Sequence, residues 1–164
     1  MLNVADQWCN EVAEIGMDQI LGKNLKNPNG AGPRQPRLKV LLADDNPSLL
    51  VELQRVLEKE FEIVSTVSDG RALLEKYDRL RPEVIVTDIS MPLMDGFEAV
   101  AKLYHQGKPK VIFLTVHEEQ AFVEEAKALG AMGYVLKRSP PSVLADAIRS
   151  AHQGHFFLCP ELCE

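Results

Sequence analysis

Five residues whose side chains could do chemistry stand at the ends of short apolar segments. They are Asp44, Asp45, Asp88, Thr115 and Lys137. Carboxylates that are brought close together repel one another, and Mg²⁺ relieves that repulsion because it prefers carboxylate oxygens while keeping several waters. The residue types therefore predict a magnesium site in which the lysine supplies a second compensating charge.

A site of this composition fits a partner that carries negatively charged oxygens, such as a phosphoryl group. An aspartate carboxylate can accept a phosphoryl group as a nucleophile. Catalysis of that transfer consists mostly of positioning and charge neutralisation. Mg²⁺, the Lys137 ammonium and the Thr115 hydroxyl would then all face the transferring oxygens.

The residues need a fold that gathers the ends of the apolar segments. From residue 37 onward, the chain repeats an apolar run followed by a segment with helical spacing. The runs are continuously apolar, as in strands buried on both faces of a parallel sheet. We predict an α/β fold, a doubly wound five-stranded parallel sheet flanked by five helices, in which ligands bind beyond the carboxyl ends of the strands. The predicted strands are Leu38–Ala43, Phe61–Val67, Glu83–Asp88, Lys110–Thr115 and Gly133–Leu136.

The first 36 residues differ from the rest of the chain. Residues 2–21 have the spacing of an amphipathic helix, with four large apolar residues on one face: Val4, Trp8, Val12 and Ile15. Residues 23–36 contain three prolines and two glycines, which predicts a linker. We predict an N-terminal helical extension that either packs on its own domain or serves docking or dimerisation.

Composition limits the classes of function. The 164 residues suffice for one domain, and the net charge of −6 disfavours direct binding of nucleic acid by this chain. No apolar run approaches the roughly 18 residues that span a membrane, and the first residues lack the pattern of a secretory signal. Three cysteines cannot form a full set of pairs, so we expect a reduced, cytoplasmic protein.

The segment after the third predicted strand resembles a known family. Residues 88–96 read DISMPLMDG and resemble the loop around the phosphorylated aspartate of response-regulator receiver domains in two-component signalling. The pair Asp44-Asp45 is similar to the acidic metal pair of that family, and Lys137 is similar to its lysine. The resemblance covers residues 38–154, and we predict a receiver domain over residues 37–154.

The resemblance implies the partners and the metal. Asp88 would accept a phosphoryl group from a sensor histidine kinase or a phosphotransfer protein. Mg²⁺ would be held by Asp45, Asp88 and the backbone carbonyl of Ser90, with Asp44 acting directly or through water. The protein would catalyse only its own phosphorylation and dephosphorylation, would form homodimers in some states, and would have no membrane partner.

The resemblance also implies a switch. Thr115 would turn toward the phosphoryl group, and Tyr134 would follow into the vacated space, which changes the face made by the fourth helix, the fifth strand and the fifth helix. Ser90 and His117 occupy positions that tune how long the phosphoryl group survives. Val116 is bulkier than the residue that the family often has, and it could narrow access to the site.

Arg138 departs from the family pattern. A proline joined by a cis bond often follows the family lysine, whereas here the Lys137–Arg138 bond is either trans or a strained cis bond. In this the chain resembles the NarL/FixJ-like subfamily of transcription regulators, whose members often lack that proline. Members of that subfamily carry a helix-turn-helix domain after a linker.

The end of the chain is open to several interpretations. The last predicted helix covers residues 139–154, with Ser139 as its cap and Pro140 in its first turn. Residues 155–164 form a tail that resembles the start of an effector-domain linker. Four residues in this region offer soft nitrogen or sulfur ligands that could bind Zn²⁺: His152, His155, Cys159 and Cys163. Pro160 interrupts their helical spacing, so we favour a tail or linker.

Plainer roles compete with the functional ones. Asp44 could cap the first helix, Asp95-Gly96 could form only a turn, and Tyr134 could be ordinary packing. Two alternatives to a phosphorylated receiver therefore stay open. One is a pseudo-receiver that is an interaction module without phosphorylation, and the other is the receiver half of a truncated DNA-binding transcription regulator.

Overall fold

The computed structural model describes residues 35–163. Within that range the chain forms one parallel sheet of six strands in the order β2-β1-β3-β4-β5-β6. The strands are β1 (Lys39–Ala43), β2 (Glu62–Val67), β3 (Val84–Thr87), β4 (Lys110–Thr115), β5 (Gly133–Leu136) and β6 (Phe157–Leu158). The predicted fold class is confirmed, and β6 is an addition to the five predicted strands.

Five helices connect the strands and cover both faces of the sheet. They are α1 (Pro47–Leu57), α2 (Gly70–Leu80), α3 (Gly96–Gln106), α4 (Gln120–Leu129) and α5 (Pro141–His152). Helices α1 and α5 pack on one face, and helices α2, α3 and α4 pack on the other. Alternate residues of each strand supply the two cores, as Leu41 and Leu42 do in β1, which explains why the strands read as continuous apolar runs.

Side-chain caps fix the starts of the helices that follow β1, β2 and β3. The side-chain carbonyl oxygen of Asn46 accepts hydrogen bonds from the backbone N–H groups of the first turn of α1. Asp69 caps α2 and Asp95 caps α3 in the same way. Asn46, rather than Asp44, is therefore the cap of α1, and this leaves the Asp44 carboxylate available to the strand end.

The predicted cap of the last helix is wrong. Pro140 has φ −57° and ψ 147°, and α5 begins only at Pro141. A proline pushes the preceding residue out of the helical region, so Ser139 is too far upstream to cap. Its hydroxyl instead donates a hydrogen bond to Glu161 Oε1 over 2.9 Å.

The C-terminal residues extend the sheet. Strand β6 pairs in parallel with β5 through Gly133 opposite Phe157 and Tyr134 opposite Leu158, and a 3₁₀ turn follows at Pro160–Leu162. The predicted division of the chain at residues 154 and 155 thus falls before an element of the sheet. The predicted N-terminal helix and most of its linker lie outside the described residues.

The structure also bears on two further expectations, the isomer of the Lys137–Arg138 bond and the presence of a membrane-spanning helix. No peptide bond within residues 35–163 is cis, so the Lys137–Arg138 bond is trans. Of the helices in that same part of the chain, none is long and apolar enough to cross a membrane.

Candidate functional site

Two aspartates and a lysine meet at the carboxyl edge of the sheet. Lys137 Nζ lies 2.6 Å from Asp88 Oδ2 and 2.7 Å from Asp44 Oδ2. Asp44 is 2 % exposed and Asp88 is 4 % exposed, so both carboxylates are almost entirely buried. The ammonium therefore lies between two buried carboxylates, where electrostatic attraction is stronger than at the solvent-exposed surface.

Backbone hydrogen bonds that continue the sheet hold all three residues. The Asp88 N–H donates to the Ala43 carbonyl over 2.8 Å, and the Lys137 N–H donates to the Thr115 carbonyl over 2.8 Å. The Asp44 N–H donates to the Val67 carbonyl over 3.0 Å. The site is thus set by the strands themselves, at the point where β1 lies between β2 and β3 and the winding direction reverses.

Burial and pairing act in opposite directions on the two ionisable partners. Burial raises the pKa of Asp88, and the hydrogen bond and charge of Lys137 offset only part of that rise. Burial alone would lower the pKa of Lys137, but its hydrogen bonds and charge interactions with Asp44 and Asp88 outweigh burial, so the net pKa is raised. The lysine is therefore held as an ammonium ion.

The acidic residues also form a donor set for a metal ion. Ligand oxygens of Asp44, Asp45 and Asp88 all lie within 4.8 Å of one another, and Asp45 is exposed. Asp44 Oδ2 is buried, and the Lys137 ammonium lies 2.7 Å from it. Carboxylate oxygens and an open side suit Mg²⁺, so the residues fit the predicted ion.

The loop after β3 closes tightly behind Asp88. The Gly96 N–H donates to the Ile89 carbonyl over 2.7 Å. A Cβ at Gly96 would lie only 2.0 Å from the Asp88 backbone oxygen, so no other residue fits without a backbone shift. Leu93, in the same loop, is 77 % exposed and has φ +65°, in the left-handed region. The predicted turn role of Asp95-Gly96 thus includes a steric requirement beside Asp88.

Thr115 and Tyr134 both contact His117. The His117 N–H donates to Thr115 Oγ1 over 3.2 Å, and the Tyr134 hydroxyl donates to the His117 carbonyl over 2.9 Å. The Tyr134 ring is fully buried, and burial raises the pKa of its hydroxyl above the usual range. The structure therefore holds Tyr134 in an inward position.

Ser90 and His117 meet at the rim of the site. Ser90 Oγ lies 3.1 Å from His117 Nε2, within hydrogen-bond distance. The His117 ring stacks on Phe122 with centroids 4.3 Å apart, and its Nδ1 lies 3.8 Å from Glu119 Oε2. The two loops that flank Asp88 are thus joined by one side-chain pair. Val116, the neighbour of His117, is 67 % exposed.

Comparison with known proteins identifies the family of this chain. A family model for the response regulator receiver domain matches residues 40–149. The chain belongs to that family. As a receiver domain it is similar to the transcriptional regulatory protein DesR of Bacillus subtilis (strain 168), with 34 % identity over 129 residues that cover 77 % of this chain and 64 % of DesR.

Solved receiver structures agree with this assignment. A two-component response regulator of the LuxR family from Aurantimonas sp. SI85-9A1 is 27 % identical, with a TM-score of 0.73 over 78 % of this chain and 93 % of that one. The receiver domain of the response regulator NarL from Mycobacterium tuberculosis is 28 % identical, with a TM-score of 0.70 over 74 % of this chain and 100 % of that one. The resemblance to NarL-type receivers is confirmed.

The receiver spans only part of the curated relatives that it matches. The aligned region covers 55–64 % of the first three of them, all of which are named transcriptional regulatory proteins. These relatives are regulators rather than enzymes that turn over a free substrate. The regulation of transcription that their names state is a property of those full-length relatives.

Sequence reasoning missed several contacts of the site. The contact between Ser90 and His117 joins two loops that are 27 residues apart. Arg138 forms an ion pair with Glu118 and thereby links the loops after β5 and β4. The only sequence signal for these pairs is the proximity of each residue to a strand end, which does not specify partners.

The zinc alternative gains no support from the geometry. Within residues 35–163, the one group of His, Cys, Asp and Glu side chains close enough to hold a metal ion is Asp44, Asp45 and Asp88. The Cys159 thiol donates a hydrogen bond to Glu161 Oε2 over 2.5 Å. The C-terminal residues therefore have a structural role.

Proposed function

We propose that Asp88 is the phosphoacceptor of a two-component receiver and takes its phosphoryl group from a sensor histidine kinase or a phosphotransfer protein. The observation that carries this proposal is the position of Lys137 Nζ, 2.6 Å from Asp88 Oδ2 and 2.7 Å from Asp44 Oδ2, at the carboxyl ends of the strands in a receiver fold. Charge neutralisation at a buried carboxylate is what phosphoryl transfer requires.

The transfer proceeds by attack of an Asp88 carboxylate oxygen on phosphorus. The new P–O bond forms as the P–N bond to the phosphohistidine breaks, and the departing imidazole nitrogen takes up a proton. Lys137 offsets part of the rise that burial causes in the pKa of Asp88, and it neutralises charge on the transferring oxygens. With acetyl phosphate as donor, the broken bond is the P–O bond to the acyl group, and acetate leaves.

Mg²⁺ completes the proposed site. Asp44, Asp45 and Asp88 would hold it, with the backbone carbonyl of Ser90 as a further ligand. Bound there, the ion would neutralise charge on the phosphoryl oxygens. The closeness of the three carboxylates, whose ligand oxygens all lie within 4.8 Å of one another, supports this assignment.

Thr115 and Tyr134 form the proposed switch. The Thr115 hydroxyl is buried at the end of β4 and would donate to a phosphoryl oxygen on Asp88. The inward Tyr134, bonded to the His117 carbonyl, corresponds to one of the two positions of the switch. Phosphorylation would shift the population between the two positions and change the face around α4, β5 and α5 for a partner or a second copy.

Ser90 and His117 are proposed to set the lifetime of the phosphoryl group. Their contact joins the loops after β3 and β4 beside Asp88, and there it would restrict the approach of water. The stacking of His117 on Phe122 holds the imidazole in that place. The pair would therefore slow hydrolysis.

Intact-mass spectrometry after incubation with Mg²⁺ and acetyl phosphate tests the proposal. We expect a gain of one phosphoryl group that is absent in Asp88→Asn and in a sample with excess chelator. A folded protein that gains no phosphoryl group from acetyl phosphate or from a phosphorylated histidine donor would contradict the proposal. That result would favour the pseudo-receiver.

A second candidate concerns the output. The relatives that match this receiver are named transcriptional regulatory proteins, and the aligned region covers 55–64 % of the first three. We infer that this receiver acts within transcriptional control, either joined to a DNA-binding partner domain or by contact with one. A fusion of residues 1–164 to a DNA-binding domain of such a relative should show phosphorylation-dependent DNA binding, and equal binding with Asp88→Asn would contradict the idea.

A further inference from the structure

The segment of residues 156–162, here named the C-terminal strap, is attached to the strand that carries the switch tyrosine. The Phe157 N–H donates to the Met132 carbonyl over 2.9 Å, and the Cys159 N–H donates to the Tyr134 carbonyl over 2.9 Å. The strap therefore occupies the outer edge of β5. These two hydrogen bonds flank the parallel pairing of Phe157 with Gly133 and of Leu158 with Tyr134.

A cluster of three side chains attaches the strap a second time. Ser139 Oγ donates to Glu161 Oε1 over 2.9 Å and lies 3.0 Å from Cys159 Sγ. The Cys159 thiol donates to Glu161 Oε2 over 2.5 Å, and Cys159 is fully buried. Ser139 thus joins the loop between β5 and α5 to the strap.

Ser139 stands two residues after Lys137 in a tight connection. The Lys137 N–H donates to the Thr115 carbonyl, and the Ser139 N–H donates to the Leu136 carbonyl over 3.0 Å. Pro140 and Pro141 follow and restrict the backbone further. The strap is therefore attached two residues from Lys137, through Ser139, and at Tyr134 itself, through the Cys159 N–H.

We propose that the C-terminal strap is coupled to the phosphoacceptor site, so that phosphorylation of Asp88 loosens the strap and exposes the edge of β5. This inference rests on the proposed function. The described arrangement pairs the Lys137 ammonium with two carboxylates while Ser139 holds Glu161. A phosphoryl group on Asp88 places new negative charge farther from the Asp88 backbone, and the ammonium follows that charge.

The coupling runs in both directions. Because two sites that are linked through one equilibrium affect each other equally, an attached strap disfavours the phosphorylated arrangement by the factor by which phosphorylation disfavours attachment. The strap suits this role because its strand is only two residues long, and short edge elements open at low free-energy cost. A partner that adds to the edge of β5 would have access only when the strap is released.

Hydrogen exchange of the peptide over residues 156–162 tests the coupling. The same sample, treated with Mg²⁺ and acetyl phosphate, is split for intact mass and for exchange. We expect exchange of the strap to quicken about fivefold or more in the phosphorylated protein, the lower range of typical couplings, and to stay unchanged in treated Asp88→Asn. Phosphorylated protein with unchanged or slower exchange overturns the coupling and leaves the proposed function intact. Absence of phosphorylation overturns both.

A pair of serine variants tests the role of Ser139. Ser139→Ala removes the donor to Glu161, whereas Ser142→Ala makes the same change at an exposed position in the first turn of α5. We expect faster strap exchange in unphosphorylated Ser139→Ala only, with circular dichroism unchanged in both. We also expect Ser139→Ala to bind beryllium fluoride with Mg²⁺ more tightly, by no more than the factor seen in exchange. Equal exchange in the two variants would refute the proposal.

Discussion

The floor and the rim of the candidate site are built in different ways. At the floor, Asp44, Asp88 and Lys137 are held by backbone hydrogen bonds that continue the sheet, and both carboxylates are buried. At the rim, Ser90 and His117 are held by one side-chain contact and by a stacked ring. A substitution at the floor should therefore destabilise the protein, whereas a substitution at the rim should change the reaction rates and leave the fold unchanged.

The largest effect is expected from removal of the ammonium at the floor. Lys137→Met leaves the buried carboxylates of Asp44 and Asp88 without a cation. We expect the free energy of unfolding to fall by about 4 kcal/mol, because an uncompensated buried charge costs that much. Phosphorylation by acetyl phosphate should fall at least about 100-fold. Denaturant unfolding and intact mass measure the two effects.

Arg138→Met is the matched control for that variant. It removes the neighbouring cation, whose partner Glu118 is exposed. Exposed pairs contribute at most about 1 kcal/mol, so this variant should remain close to the parent. Equal losses in the two variants would show that the floor is no more sensitive than the surface.

A steric change at the floor should have the next largest effect. Gly96→Ala places a methyl group where 2.0 Å separates it from the Asp88 backbone oxygen. We expect a loss of about 3 kcal/mol in the free energy of unfolding, as in overpacked cores. Gly154→Ala, at φ +85° with open space around the added carbon, should cost only about 1 kcal/mol. A smaller loss at Gly96 than at Gly154 would contradict the close packing of the loop.

At the rim, His117→Ala should alter the reaction and not the fold. Loss of one hydrogen bond of about 1 kcal/mol corresponds to a phosphoryl lifetime about fivefold shorter. The fold should be kept, with a fall in the free energy of unfolding of only about 1–2 kcal/mol. Decay of the phosphorylated mass after removal of acetyl phosphate measures the lifetime, with the exposed His105→Ala as control. Equal lifetimes in both variants would remove His117 from the mechanism.

The smallest effect is a pH-dependent change from Asp88→Asn. Because the pKa of folded Asp88 is raised above its ordinary value of 3.8, the folded protein binds more protons than the unfolded chain just above pH 3.8. Wild-type stability therefore falls as pH rises through the raised pKa. In Asp88→Asn this loss of stability does not occur, and Lys137 still pairs with Asp44. We expect the variant to be the more stable protein at pH 7, with the difference vanishing below pH 3.8.

Thermal unfolding of both proteins between pH 3 and pH 8 checks that expectation. A variant that is less stable than the wild type at pH 7 would mean that Lys137 needs both carboxylates. In that case pairing, rather than burial, dominates the energetics of Asp88.

The same contrast explains what could be predicted from the sequence. The strands are marked by continuous apolar runs, and parallel strands bring their carboxyl ends to one edge, so the sequence pattern alone places Asp88 and Lys137 at that edge. The contact of Ser90 with His117 and that of Ser139 with Glu161 join separate loops through side chains. No periodicity encodes such contacts. The prediction of a cap at Ser139 is wrong because Pro141 restricts Pro140 and delays the helix.

The shortness of β6 has a consequence for the behaviour of the protein at high concentration. An edge strand with free N–H and C=O groups is a template on which other chains can add. Strand β6 has only two residues and is followed by Pro160, which has no N–H to offer. Strand β5 beneath it is longer and entirely apolar or aromatic apart from its glycine. The two residues of β6 therefore cover the edge of β5 and protect it from edge-to-edge aggregation of copies of this chain.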